Sequence, residues 1–161
     1  MKVAIIMGSD SDRDVMKKAV ETLREFGVEV EITVASAHRT PQKVQEFVKN
    51  SQAKVFIAAA GMAAHLAGVV ASYTTFPVIG VPINSEPFKG LDSLLSTVQM
   101  PSGVPVATMA VNGAKNAALF ALEILSVSDA ELHKKLLSYR KEMAEEVEKK
   151  SAAVKKSFEE M

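Results

Sequence analysis

A histidine and an arginine stand side by side in Ser36–Pro41, where a strand-like pattern gives way to a helical one. Val28–Val34 alternates apolar and charged residues as a strand does, and Thr40-Pro41 is typical of a helix start with a Thr cap. Ligands of open α/β sheets bind beyond the carboxyl ends of strands, where His38 is expected. Because an imidazole exchanges protons near neutral pH and a guanidinium grips anions, His38 and Arg39 predict proton transfer on an anionic substrate.

Both side chains also have an ordinary structural explanation. His38 could be a loop histidine that bonds a nearby carbonyl. Arg39 could be a surface ion-pair partner, the commoner role of an arginine. Because His38 is expected at a strand end and next to an arginine, the functional hypothesis and these structural alternatives both remain open.

A second polar turn, Gly8–Asp12, follows the first strand-like run and precedes a helical pattern. Free backbone N–H groups and a helix dipole predict a phosphate site there, with Ser9 and Ser11 as additional hydroxyl donors. Asp12 would repel phosphate and is better suited to accept hydrogen bonds from sugar hydroxyls. The turn matches neither a dinucleotide fingerprint nor a P-loop. The alternative is a helix cap in which Ser11 or Asp12 bonds the first amides.

Small residues dominate the stretch Ala58–Gly68, which follows the third strand-like run. Small side chains let the backbone approach a ligand closely, and we predict substrate contacts at Gly61 and Ala63. His65 is expected in the first turn of the next helix, where the helix dipole disfavours a charged imidazole. We therefore favour His38 as the proton carrier and interpret His65, from the residues alone, as a packed histidine bonded to backbone.

The residue types predict no metal site. His38 and His65 lie in different loops without HxH or HExxH spacing, and His133 falls on a charged helical pattern that indicates solvated surface. The chain has no cysteine, which excludes disulfides, thiolate metal sites and a cysteine nucleophile. No G-x-S-x-G elbow is present either.

Strand-like and helical patterns alternate along the chain. This alternation predicts an α/β fold, a single-domain three-layer sandwich with a central parallel sheet of the flavodoxin-like or Rossmann-like type. The strand-like runs are Lys2–Met7, Val28–Val34, Val55–Ala60, Pro77–Val81 and Val104–Val111. The helical patterns between and after them cover about Asp12–Phe26, Pro41–Asn50, Ala63–Ser72, Leu91–Val98 and Ala114–Leu125.

A long charged helix is predicted to follow, so we divide the chain into an α/β catalytic domain, 1–127, and a helical arm, 128–161. Ser128-Asp129 is typical of a helix cap. About 30 helical residues would extend roughly 45 Å, more than one small core covers. We therefore favour an arm that packs on neighbouring subunits over a helix folded onto its own subunit. The apolar stripe of this helix is Leu132, Leu136, Met143, Val147, Val154 and Phe158.

Composition narrows the remaining classes of function. The chain has 161 residues, and its 19 basic and 19 acidic side chains balance, which does not favour nucleic-acid or membrane-surface binding. No apolar run approaches the roughly 20 residues that span a bilayer, and Val3–Met7 is too short for a signal peptide core. We expect a cytoplasmic protein.

Several long motifs, in order, resemble those of the purE-type 5-(carboxyamino)imidazole ribonucleotide mutase family. They are GSDSD, SAHRTP, AAHLAG, PVIGVP, LDSLLSTVQMPSGVPVAT and NAAL, and the resemblance covers roughly residues 3–125. It implies an isomerase of de novo purine (IMP) biosynthesis, which moves a carboxylate from the exocyclic amine of the imidazole to ring carbon 4. It also implies a homo-octamer without metal or organic cofactor.

The resemblance carries roles to individual residues. His38 matches the family's general acid/base, and Arg39 matches the arginine on substrate phosphate. The remaining positions are matched to substrate binding or to the border of the site, and they are Ser9, Ser11, Asp12, Ser36 and His65. Met62 and Ala67 stand where glycine and proline are expected in many relatives.

Other functions remain open at this point. A related branch of the family carboxylates aminoimidazole ribonucleotide directly with carbon dioxide, and it shares these motifs. A non-catalytic flavodoxin-like nucleotide-binding module would explain the sheet and the phosphate turn, but not the adjacent histidine and arginine. A scaffold that acts chiefly through the C-terminal arm would leave GSDSD and SAHRTP unexplained.

Overall fold

Five parallel strands form one sheet in the computed structural model, which describes residues 1–159. In chain order the strands are β1 (Lys2–Met7), β2 (Glu29–Val34), β3 (Val55–Gly61), β4 (Val78–Ile83) and β5 (Ala107–Thr108). Their order across the sheet is β2-β1-β3-β4-β5. The predicted α/β class with a central parallel sheet is confirmed.

Six α-helices lie within residues 1–159, and a single 3₁₀ turn, Asp10–Asp12, precedes the first of them. They are α1 (Arg13–Glu25), α2 (Pro41–Asn50), α3 (Leu66–Ser72), α4 (Leu91–Val98), α5 (Ala114–Ser126) and α6 (Ala130–Glu159). The predicted bounds of α2 and α4 agree with the structure. Within residues 1–159, every helix is too short or too polar to span a lipid bilayer.

The direction in which successive strands are added to the sheet changes once, and this places helices on both faces of the sheet. The connection from β1 to β2 runs one way, and all later connections run the other way. Since parallel crossovers are right-handed, α1 lies on one face and α2, α3 and α4 lie on the other. One core cluster accordingly joins Val44 of α2 and Leu66 of α3 to Ile6, Phe56 and Ala58 of the sheet.

The last strand is much shorter than predicted. Val104–Val111 reads as a strand, but only Ala107 and Thr108 pair with β4. Gly103 adopts a φ of 99°, and Pro105 has no N–H to donate, so the chain enters the ladder late. Asn112, with a φ of 58°, turns the chain away again.

Strand β4 is longer than predicted, since it continues past Val81 to Ile83. Proline cannot donate to a ladder, so Pro82 is an unusual residue within a strand. Its carbonyl accepts from the Asn112 amide at 2.8 Å, beyond the end of β5, so no ladder donor is required there. The loop after β4 therefore begins at the same edge of the sheet as the loops after β1 and β3.

Contacts divide the chain into two units, Met1–Leu125 and the segment from Ser126 onward. The second unit contains α6, whose first turn is capped by Asp129: its Oδ1 accepts from the Leu132 amide at 2.9 Å. Leu132 and Leu136 of the apolar stripe are buried. The division into residues 1–127 and 128–161 stays a prediction. Four later members of the stripe are exposed: Met143 (50%), Val147 (63%), Val154 (54%) and Phe158 (71%).

Candidate active site

The loops after the first four strands line one pocket of about 560 Å³. It lies where the strand order reverses, between β1 and β3, which is where doubly wound sheets bind ligands. Nine side chains or backbone positions that the sequence singled out lie in its wall. They are Ser9, Ser11, Asp12, Ser36, His38, Arg39, Gly61, Ala63 and His65.

The loop from β2 to α2 is held by hydrogen bonds within itself. The Thr40 hydroxyl accepts from the Ser36 amide at 2.9 Å and donates to the Ser36 carbonyl at 3.2 Å. The Ser36 hydroxyl accepts from the Arg39 amide at 3.2 Å. Thr40 occupies the predicted cap position of α2, ahead of Pro41 in the first turn, but its side chain makes no cap bond. Its hydroxyl instead fixes the turn that presents His38 and Arg39.

Arg39 connects two loops that are distant in the chain. Its Nη2 donates to the Gly8 carbonyl at 3.1 Å, across 31 positions in the sequence. A guanidinium has five N–H donors in a planar fork, so this bond leaves others for an anion. Arg39 is exposed and its side chain reaches the loop after β1. An anionic ligand there would contact both the guanidinium and this loop.

His38 is bonded to His65 rather than to a backbone carbonyl. His38 Nε2 lies 3.0 Å from His65 Nδ1, and the two rings meet edge to face at 80° with centroids 5.1 Å apart. His65 is exposed at the cap position of α3, so our interpretation of it as a packed histidine in the first turn is wrong. Sequence patterns could not show that strands β2 and β3, separated by β1, bring these rings together.

The turn after β1 bonds mainly to itself. The Ser9 hydroxyl accepts from the Ser11 amide at 3.3 Å, and the Asp12 carboxylate accepts from the Ser9 amide at 3.1 Å, which forms a capping box. The Gly8 amide bonds Ala59 of β3. The amides of Gly8, Ser9, Ser11 and Asp12 therefore already have acceptors within the protein, so the expectation of free N–H groups is wrong for most of this turn. The phosphate site itself stays a prediction. The hydroxyls of Ser9 and Ser11 remain in the pocket wall.

Asp12 is a buried carboxyl in this wall, with 4% of its surface exposed. Burial raises the pKa of Asp12 above its ordinary value, and the hydrogen bonds from Ser9 and Ser11 offset this effect only in part. Its side chain makes no cap bond to α1, so that alternative role is wrong as well. Asp12 closes the 3₁₀ turn and presents a desolvated carboxyl to the pocket.

Replacing Asp12 with asparagine is expected to change how stability depends on pH. A raised pKa in the folded state means that the contribution of Asp12 to stability is fully present below the ordinary value of 3.8 and is lost as the pH rises through the folded-state pKa. Asparagine stays neutral at both pH values. The free energy of unfolding of the variant, relative to that of the wild type, should therefore be higher at pH 7 than at pH 3.5. Urea unfolding at both pH values measures the difference, with Asp10→Asn as a control for charge loss in this turn. A difference that is the same at both pH values would contradict the prediction.

The loop after β3 carries a strained residue. Met62 has a φ of 55°, in the left-handed region that glycine adopts freely and other residues seldom do. The Ser85 hydroxyl accepts from its amide at 3.3 Å and helps to hold it there. A Cβ atom on Gly61 would lie 3.5 Å from the Ile83 carbonyl and from the Ser85 hydroxyl, which is an ordinary van der Waals distance. Met62 departs from the expected glycine at the place where the backbone conformation suits glycine.

Our sequence analysis missed the contribution of β4 to the pocket. Ile83, the last residue of β4, and the following Asn84 and Ser85 lie in its wall. The signal was present, because the same strand-end rule that selected His38 applies to every strand of the sheet. Our prediction ended β4 at Val81, so Asn84 and Ser85 were assigned to the loop that follows and not to a strand end.

Two further observations separate this pocket from other candidate sites. Among residues 1–159, no group of three or more His, Cys, Asp or Glu side chains is placed to hold a metal ion. A larger cavity, about 1230 Å³, lies beside the start of β4. Of the residues described, its wall includes no histidine, arginine or carboxylate, so it lacks the proton-transfer groups of the first pocket.

Comparison with known proteins gives one consistent result. The family described as AIR carboxylase matches residues 2–146. An N5-carboxyaminoimidazole ribonucleotide mutase of Methanocaldococcus jannaschii is 56% identical over 156 residues, which are 97% of this chain and 99% of that protein. The mutase of Thermotoga maritima is 54% identical over 153 residues, 93% of this chain and 90% of that one.

Solved structures agree in fold. The crystal structure of a Treponema denticola PurE2 variant superposes with a TM-score of 0.86 at 32% identity, covering 94% of this chain and 96% of that one. Treponema denticola PurE gives a TM-score of 0.84 at 33% identity, covering 92% of this chain and 94% of that one.

Proposed function

Because this chain belongs to the AIR carboxylase family, we propose that it is an N5-carboxyaminoimidazole ribonucleotide mutase. It would convert 5-(carboxyamino)imidazole ribonucleotide to 4-carboxy-5-aminoimidazole ribonucleotide in purine biosynthesis. The observation that carries this proposal is the meeting of two loops. His38 and Arg39 after β2 share one pocket with the Gly8–Asp12 turn, and Arg39 bonds Gly8 at 3.1 Å.

The reaction needs confinement and one proton carrier. The carbamate nitrogen accepts a proton from His38 as its bond to the carboxylate carbon breaks, so carbon dioxide and the aminoimidazole form together. Ring carbon 4, an enamine-like nucleophile, then attacks the carbon dioxide. His38 removes the proton from carbon 4 and returns to its starting state. A group that exchanges protons near neutral pH suits both transfers.

Carbon dioxide must stay beside the ring between these two steps. The wall formed by Ala60, Gly61 and Ala63 is made of small residues, which lets the imidazole and carbon dioxide approach the backbone closely. We assign substrate contacts to Gly61 and Ala63 on this ground.

The rest of the substrate would be held away from the reacting ring. We assign the phosphate to Arg39, with Ser36, Ser9 and Ser11 as hydroxyl donors around it, because most amides of the β1 turn are already bonded. Asp12 is the acceptor that a ribose hydroxyl would meet in this wall. Binding energy gained from phosphate and sugar would then orient the imidazole against His38.

The direct carboxylase is the second candidate, because the family description itself names carboxylation. The deciding experiment offers metal-free protein the carbamate substrate and, separately, the amine with bicarbonate. For a mutase we expect carbamate turnover at least tenfold faster than carboxylation of the amine. Faster use of the amine would identify a carboxylase, and turnover of neither would favour a nucleotide-binding module. His38→Asn protein serves as the control for uncatalysed decarboxylation.

We further propose a homo-octamer in the cytoplasm, as the resemblance implies, in which α6 provides contacts between copies. Exposed apolar side chains that continue along one helix face are typical of interaction surfaces. Four such residues follow one another along α6 at helical spacing.

Val147→Glu is therefore expected to reduce the size of the assembly. A charge at the centre of an apolar contact costs several kcal/mol if it is buried there unpaired. Size-exclusion chromatography with light scattering measures the mass. Ala152→Glu is the matched control, since it adds the same charge to an exposed position of the same helix about 140° away from Val147. Equal masses for Val147→Glu and wild type would contradict the role of the stripe, as would an unchanged number of subunits after truncation at Leu125.

A further inference from the structure

The contact between His38 and His65 links the protonation of the two rings. A neutral imidazole has one donor nitrogen and one acceptor nitrogen, and an imidazolium has two donors. With His38 Nε2 and His65 Nδ1 at 3.0 Å, one nitrogen must donate and the other must accept. Two imidazolium rings would both donate, so a doubly charged pair could not form this hydrogen bond.

The proposed chemistry selects one of the two arrangements. To deliver a proton, His38 must be charged, and both of its nitrogens then carry hydrogen. His65 can remain bonded to it only by accepting at Nδ1, which places the His65 proton on its Nε2. In this arrangement Nε2 of His38 is occupied throughout, and Nδ1 is the nitrogen that exchanges its proton with substrate.

His65 is attached to the more rigid of the two elements. Its neighbours Ala64 and Leu66 are both buried, and its own carbonyl accepts from the Val69 amide at 3.0 Å as α3 begins. His38, in contrast, lies in an exposed turn between Ser36 and Thr40. A side chain that acts in chemistry is held best by a partner whose own backbone is fixed by packing.

We propose that His65 is a positioning residue for His38: it accepts the Nε2 proton of His38, holds that ring in one orientation and tautomer, and directs Nδ1 to the substrate. This inference rests on the proposed role of His38. It assigns His65 an action on His38 rather than on the substrate itself.

The proton balance of the cycle is preserved. Charged His38 gives its Nδ1 proton to the carbamate nitrogen, which keeps the electron pair of the broken carbon–nitrogen bond. Neutral His38 then has its proton on Nε2, still donated to His65. After ring carbon 4 has bonded carbon dioxide, its proton passes to the vacant Nδ1. His65 neither gains nor loses a proton.

Turnover provides the first test. His65→Phe keeps an aromatic ring but has no acceptor, and we expect kcat to fall about 10- to 100-fold, as for other partners that orient a functional histidine. KM should stay within about threefold, because Arg39 and the β1 turn, to which the phosphate and ribose are assigned, are unchanged. His65→Asn places an amide oxygen near the former Nδ1. The fall in log kcat for this variant should be at most half of that for His65→Phe. His133→Phe, on α6, is the matched control and should leave both constants unchanged.

Nitrogen-15 NMR of the imidazoles provides a second test that needs no turnover. The His38 signals, assigned by their loss in His38→Asn, should indicate hydrogen on Nε2 of the neutral ring in wild type and in His65→Asn. In His65→Phe they should indicate a mixture of the two tautomers. An unchanged His38 spectrum in His65→Phe, or a rise in KM with kcat unaltered, would overturn the inference. Wild-type protein that fails to turn over the carbamate would instead overturn the proposed function, while the spectra would still report on the contact.

Discussion

Replacing His38 with asparagine is expected to lower kcat by about 10³-fold while ligand affinity stays within about fivefold of wild type. General acid–base catalysis by one side chain contributes roughly 10²- to 10⁴-fold, and His38 is assigned both proton transfers of the cycle. Asparagine can form hydrogen bonds but cannot exchange a proton at neutral pH. Steady-state turnover of the carbamate substrate measures the first quantity, and calorimetric titration with the ribonucleotide product measures the second.

The matched control for this variant is His133→Asn, which removes a histidine from an exposed position of α6. It should leave turnover and affinity at wild-type values. Normal turnover by His38→Asn would remove His38 from its role. A loss that appeared only in affinity would make His38 a binding residue instead of the proton carrier.

Replacing Arg39 with alanine is expected to weaken binding of the ribonucleotide about 10- to 100-fold and binding of its dephosphorylated nucleoside by less than threefold. A hydrogen bond to a charged group contributes about 1.5–3 kcal/mol, and the guanidinium reaches the β1 turn, where it bonds Gly8 at 3.1 Å. Most amides of that turn are bonded within the protein, so little else there can replace it. Titration of each ligand into both proteins measures the two ratios.

Two further variants make this test specific. Arg39→Lys keeps the charge without the planar fork, so we expect affinity for the ribonucleotide between those of wild type and Arg39→Ala. Arg24→Ala removes an exposed arginine from the last turn of α1 and should change neither affinity. Equal losses for ribonucleotide and nucleoside in Arg39→Ala would indicate that Arg39 does not contact the phosphate.

Most secondary structure followed from local patterns, and the departures have local causes. Alternating or continuous apolar runs predicted the first four strands to within two residues at each end, because side-chain burial has a fixed period in each element. Strand β5 was predicted six residues too long, since Gly103 and Pro105 break the ladder despite an apolar run. Strand β4 was predicted to end at Val81, two residues before its end at Ile83.

The residues of the candidate site were accessible to the same local reasoning, but their interactions were not. Strand-end positions selected His38, Arg39 and the Gly8–Asp12 turn, all of which contribute to the pocket. Thr40 lies at the expected cap position, but its hydroxyl bonds Ser36 in the preceding turn. The expected local role of His65 was wrong, since it bonds a ring 27 positions away. Their actual partners depend on loop conformation and on which strands are neighbours.

Sequence patterns were therefore sufficient for the fold class, for the chemistry-bearing loops and for the resemblance to one enzyme family. Those features depend on residue type and short-range spacing, both of which are present in the unfolded chain. The 3.0 Å contact between two histidines, the burial of the Asp12 carboxyl and the use of the β1-turn amides in a capping box came from the folded chain alone. Each depends on the strand order β2-β1-β3 or on the conformation of a loop, and hydrophobic periodicity constrains neither.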